Sequence, residues 1–83
     1  MNNFKLYNKM TNKILGIVNG IRAAKGLAPV NGINADTKLR EDLNLTSFDL
    51  AELTVKIEDE FDIDIFEDGL VSTVGDIFAK LEK

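Results

Sequence analysis

Leu50, Leu53, Thr54, Ile57 and Phe61 recur at the three-and-four spacing of one helix face. No other feature limits the fold of this chain as strongly. The stripe predicts a helix from about Ser47 to Phe61, roughly 22 Å long at about 1.5 Å per residue, enough to cross a small domain. Thr46 suits the N-cap, and Asp49, three residues on, approximates a capping box. A helix with a single apolar stripe must bury it against other elements.

Upstream, Met10, Ile14, Ile17, Val18 and Ile21 form a second stripe. Leu6 and Tyr7 stay in phase with it. This helix starts either near Asn3 or at Thr11, a good N-cap that would leave the first ten residues as a loose segment. Gly26 closes it, Lys25 suits its last turn, and Pro29 follows. Gly16 and Gly20 have GxxxG spacing but lie off the stripe, so they read as two helix-weakening residues. Residues 27–36 are a loop rich in turn formers, pinned by Val30 and Ile33. Thr37 can cap a single turn that aims Leu39 and Leu43 inward. Downstream, residues 62–66 alternate polar and apolar, a strand pattern with no second strand to pair with. They read as an extended connector that buries Ile63, Ile65 or both. A short helical turn is expected around residues 68–71. Thr73 or Ser72 then caps a last helix with Val74, Ile77, Phe78 and Leu81 inward. The sum is an all-α bundle of three main helices with one or two short ones.

The 83 residues are expected to form one domain, with a limited core and modest stability. There is no cysteine, hence no disulfide or thiolate metal site, and no histidine, the commonest general base and metal ligand. The apolar runs are too short to span a membrane, and the interrupted N-terminus is no secretory signal. A cytoplasmic monomer is the expectation. Charge is divided unevenly: up to Arg40 Asp36 is the lone acid, whereas from Glu41 onward Lys56, Lys80 and Lys83 are the lone bases. This asymmetry suggests an acidic face for basic partners and argues against nucleic-acid binding.

Ser47 falls in the first turn of the central helix. As a catalyst it would need a base, and Lys56, the nearest lysine in sequence beyond it, is more than two turns away. Two readings stay open. Ser47 is an ordinary early-helix residue beside the cap, or its hydroxyl carries an attached group, because a phosphodiester is stabilised at a helix N-terminus. On the outer face, Phe48, Ala51 and Val55 project away from the core stripe, with Glu52 and Asp59 alongside and Glu58 at the edge. They are either scattered exposed residues or a docking surface. The acidic run 58–64 fails as an EF-hand: counted from Asp62, Phe66 and Glu67 stand where a ligand and glycine belong. No metal site is expected.

These residues resemble the acyl carrier proteins. The likeness runs from about Asp36 to Leu81. It is carried by Leu39-Arg40-Glu41-Asp42-Leu43, Leu45-Thr46-Ser47-Phe48, Asp49 through Glu52-Leu53, Ile57-Glu58-Asp59-Glu60-Phe61 with Ile63 and Ile65, and Thr73-Val74-Gly75-Asp76. The resemblance implies a right-handed four-helix bundle with a long first loop and a short third helix. It implies that Ser47 receives 4′-phosphopantetheine from coenzyme A through a holo-acyl-carrier synthase using Mg²⁺. The protein would be a carrier of acyl thioesters and not an enzyme, and short acyl chains could tuck between its helices. Glu52, Glu58 and Asp59 match the family's acidic docking positions, and Phe48 and Val55 its apolar contacts with basic-surfaced enzymes of fatty-acid, polyketide-like or related synthesis. Three departures stand out: Thr46-Ser47-Phe48 replaces Asp-Ser-Leu, Phe66 follows Ile65 where the family has Pro, and the third-helix segment is short. They point to a specialised carrier. An aminoacyl carrier of the D-alanyl type and an unmodified helical interaction module are the alternatives.

Overall fold

The computed structural model describes residues 3–65 and 71–81, with side chains from residue 8 onward. Three helices are described: α1 over Asn3–Ala24, α2 over Ser47–Phe61 and α3 over Val74–Leu81. The earlier of the two candidate starts for α1 is the observed one, so Thr11 lies inside the helix. No strand is present among the described residues, where pairing is limited to an isolated bridge between Lys38 and Thr73. The short helical turn expected at 68–71 lies outside the described residues except for Val71, which is buried.

The helices bury the stripes that define them. Met10, Ile14, Val18 and Ile21 from α1 meet Leu50, Leu53 and Ile57 from α2, and Val74, Ile77 and Phe78 from α3 complete the core. Thr54, Phe61 and Leu81 are half-buried at its margin. In the connector, Ile65 is buried and Ile63 half-buried, so Ile65 is the residue that anchors this segment to the core. Asp62 ends α2 in the left-handed region, its N–H donating to the Glu58 carbonyl at 2.7 Å.

Two ion pairs fix the direction of packing. Lys13 of α1 meets Glu60 at the end of α2, and Lys25 after α1 meets Asp49 at the start of α2, both at 2.6 Å. The two helices therefore run antiparallel. α1 ends in a Schellman turn: Leu27 N–H donates to the Arg22 carbonyl and Gly26 N–H to that of Ala23. Gly26 sits at φ 81°, where a side chain would be strained. Gly16 and Gly20, by contrast, face open space in the middle of the helix. Gly16→Ala and Gly20→Ala should each stabilise the fold by roughly 0.5–1 kcal/mol, read as a higher urea midpoint with an unchanged slope.

The loop 25–46 is held at both ends. Asn19 pairs with Val30 in both directions, its side-chain amide donating to the Val30 carbonyl and its Oδ1 accepting from the Val30 N–H. Val30 and Ile33 are half-buried against the core, as the sequence implied. At the far end the loop covers the N-terminus of α3. Val74 N–H donates to the Thr37 carbonyl, Gly75 N–H to that of Ala35, and Leu39 N–H to that of Ser72, each at 2.9 Å. Thr73 is the cap, with Asp76 returning to the Thr73 and Ser72 N–H groups. The Ser72 and Thr73 N–H groups hold the Asp76 carboxyl below the usual carboxylate range. Thr37 does not cap the next turn. Its hydroxyl accepts from Asn34 N–H, while Asp42 reaches back to the Lys38 N–H instead.

Gly75 explains its own identity. A Cβ there would lie 2.9 Å from the Ala35 carbonyl oxygen and 3.2 Å from the Ala35 Cβ. Gly75→Ala must therefore push the loop off α3. A loss of about 1–3 kcal/mol is expected in denaturant unfolding, with faster amide exchange at Gly75 and Leu39.

Candidate functional site

The approach to α2 is built by residues 38–46. Leu39, Leu43 and Leu45 are buried, so this turn is anchored from beneath. Asn44 takes φ 59°, a left-handed conformation that asparagine tolerates, and redirects the chain into the helix. Thr46 then caps α2: its Oγ1 accepts from Asp49 N–H at 3.2 Å, and Thr46 N–H donates to Asp49 Oδ2 at 2.9 Å. The capping box foreseen from the sequence is complete.

Two cations from the end of α1 grip this junction. Arg22 is buried and donates to the Ala28 carbonyl through Nε and Nη2, and to the Leu43 carbonyl through Nη1 at 2.7 Å. Lys25 Nζ donates both to the Asn44 carbonyl and to Asp49 Oδ2, each at 2.6 Å. Asp49 is buried, yet its carboxyl is held below the ordinary aspartate value, first by the Lys25 hydrogen bond and then by the Thr46 N–H. The negative charge in the first turn of α2 is thus already paired.

Ser47, the first residue of α2, is exposed. Its hydroxyl accepts a hydrogen bond from Arg40 Nη2 at 2.6 Å. The guanidinium has no acceptor, so it engages a lone pair of Oγ and leaves the O–H proton uncommitted to Arg40. An anion joined to Ser47 Oγ would meet the guanidinium on one side and the positive end of a 15-residue helix on the other. The residues present fit a phosphodiester.

The other residues singled out from the sequence share one side of α2. Phe48, Ala51, Glu52, Val55, Glu58 and Asp59 are all exposed. Phe48 at 81% and Val55 at 58% are the large apolar side chains that remain in solvent among the described residues. Glu52 makes only a long contact, 4.0 Å, with Lys56 one turn on. Beside this face, a cleft of about 250 Å³ is lined by Lys38, Arg40, Glu41, Leu50, Val71, Ser72 and Thr73. Among the described residues no three His, Cys, Asp or Glu side chains converge to hold a metal, and no helix is long and apolar enough to cross a membrane.

Sequence reasoning missed Arg22, Lys25 and Arg40 as parts of this site. Lys25 was visible only as a cation suited to a helix end. The basic cluster Arg22–Lys25 just before a long loop was a usable signal, because such side chains reach loop carbonyls.

Residues 16–80 match the family described as phosphopantetheine attachment site. The chain is also 38% identical, over 52 residues, to the acyl carrier protein of Sulfurovum sp. (strain NBC37-1), covering 60% of this chain and 69% of that protein. No solved structure matches the chain.

Proposed function

We infer the function from one premise: the chain belongs to the acyl carrier protein family, whose domain is the site of covalent 4′-phosphopantetheine attachment. Members are carriers and not catalysts. Within that family, Ser47 is the residue we assign to the arm. What supports this most is its position: an exposed hydroxyl on the first residue of α2, inside the matched span, touched by a guanidinium. On loading, Ser47 Oγ bonds to phosphorus, the P–O bond to the nucleotide half of coenzyme A breaks, and the serine proton passes to a base of the transferase. The attached group supplies a thiol on which acyl chains ride as thioesters.

Phe48, Ala51, Glu52, Val55, Glu58 and Asp59 are the surface we assign to docking. An apolar ridge rimmed by carboxylates suits enzymes with a basic rim, including the holo-acyl-carrier synthase that uses Mg²⁺. Charge speeds such encounters, and salt weakens them because the Debye length is about 8 Å at physiological ionic strength. Glu52→Lys together with Asp59→Lys should lower kcat/KM of an acyl-transfer partner by roughly ten- to a hundredfold, with the helical signal unchanged. Equal turnover at low and high salt would remove this surface from the account. Cytoplasmic fatty-acid or related thioester synthesis is the setting that fits best, with Thr46 and Phe48 marking a specialised carrier.

The absence of cysteine gives a direct test. After incubation with coenzyme A, Mg²⁺ and a broad-specificity phosphopantetheinyl transferase, then desalting, the chain should titrate one thiol where it previously titrated none. No thiol after treatment with several transferases would favour an unmodified interaction module.

A further inference from the structure

Arg40 is one of a few bases near an acidic helix, and nothing in the packing requires it. It is exposed, whereas its neighbour Leu39 is fully buried. Even so, its guanidinium is aimed at one atom, Ser47 Oγ, seven residues along the chain. Arginine cannot accept a proton here, so it cannot serve as a base. It presents five donors in a planar fork, which suits an anion with two or more oxygens far better than a single neutral hydroxyl.

We propose that Arg40 is the positioning residue that clasps the phosphodiester formed on Ser47, fixing the first link of the attached arm against the loop 38–46. This rests on the reading of Ser47 given above. Modification replaces a neutral O–H by a group carrying one negative charge within reach of the same Nη2. The contact thereby changes from a neutral acceptor to a charge-assisted pair. The competing carboxylate in the first turn, Asp49, is buried and already bound by Lys25, so it does not draw the guanidinium away. Arg40 also lines the cleft shared with Leu50 and Ser72. A phosphate held there starts the arm along that side of α2 instead of letting it swing freely from the helix end.

The test uses the full chain loaded enzymatically, followed by ³¹P and ¹⁵N NMR on wild type, Arg40→Gln and Arg40→Lys. Loading of the wild type should shift the Arg40 Nε–Hε resonance and slow its solvent exchange by roughly three- to tenfold, as expected for a charge-assisted pair at the surface. The ³¹P signal of loaded Arg40→Gln should be displaced and narrower, reporting a freer phosphate. Lysine, with charge but no fork, should fall between the two. High salt should move the wild-type ³¹P signal toward that of the glutamine variant. Identical ³¹P shift and linewidth in loaded wild type and Arg40→Gln, with Arg40 resonances indifferent to loading, would overturn the assignment while leaving Ser47 as the attachment point. A wild-type chain that accepts no arm would overturn both. Because Arg40 is exposed, both variants should keep the wild-type backbone spectrum away from residues 38–48.

Discussion

Ser47→Ala is expected to take up no arm at all under conditions that load the wild type fully, while folding as well as the wild type does. The two halves of this expectation have separate physical grounds. Loading needs an exposed hydroxyl that takes no part in a helix's own capping or backbone bonding. Thr46 Oγ1 is engaged as the cap of α2, and Thr73 Oγ1 as the cap of α3. Thr54 donates to the Leu50 carbonyl at 2.9 Å. Among the described residues Ser47 alone combines an exposed hydroxyl with the start of the acidic helix and a cation at 2.6 Å. Stability should barely change, because Ser47 follows the cap and buries nothing; a shift within about 0.5 kcal/mol is expected. Thr46→Ala should show the reverse pattern. It loses a cap worth roughly 1 kcal/mol but keeps the nucleophile, so it should load to completion at a temperature where it is folded. A Thr46→Ala chain that is folded but refuses the arm would show that the transferase reads residue 46 directly.

The second large effect lies at Asp49. Asp49→Ala removes the return half of the capping box and the partner of Lys25 at one stroke. The cap and a charge-assisted hydrogen bond together contribute about 2–3 kcal/mol, a large share of the roughly 5–10 kcal/mol that a chain of this size can hold. Denaturant midpoints should fall accordingly, and amide exchange around residues 44–50 should quicken first, since Lys25 also ties down the Asn44 carbonyl. The same contacts predict a pH response. The folded carboxyl of Asp49 is depressed by Lys25 and Thr46, that of Asp76 by the Ser72 and Thr73 N–H groups. A depressed carboxylate lends its full stability above the unfolded value, about pH 4, and loses it as pH falls through the lower folded value. Stability from these two groups should be flat from about pH 5 upward and decline below about pH 4. In Asp49→Asn the decline should be shallower. An equally steep acid limb in that variant would mean that Asp49 is not held by Lys25 in solution.

Much of the architecture could be read from residue spacing because its causes are local. The stripes of α1, α2 and α3 are written at helical period, and burial follows the period: Ile14, Leu53 and Ile57 are fully buried. Thr46 and Asp49 announced a capping box because its partners are three residues apart. What escaped was long-range and polar. Arg22 reaches the Leu43 carbonyl, Lys25 reaches Asp49, and Gly75 abuts Ala35 across a loop and a helix. Such bonds have no period, and a side chain seeking a backbone carbonyl leaves no mark at the acceptor's position in the sequence. Thr37 failed as a cap for a local reason: Asp42, four residues on, offered a carboxylate, a stronger acceptor, to the Lys38 N–H. Arg40 stands within the motif Leu39–Leu43, yet its contact with Ser47 depends on the turn between them.

The carrier role proposed for this chain requires one covalent bond at one oxygen, Ser47 Oγ. Fragmentation mass spectrometry of the chain after treatment with coenzyme A, Mg²⁺ and transferase tests this directly. It should find a single added phosphopantetheine group, carried by every fragment that contains Ser47 and by none that lacks it. An unmodified chain, or an arm mapped to Ser72 or to any other hydroxyl, would contradict it.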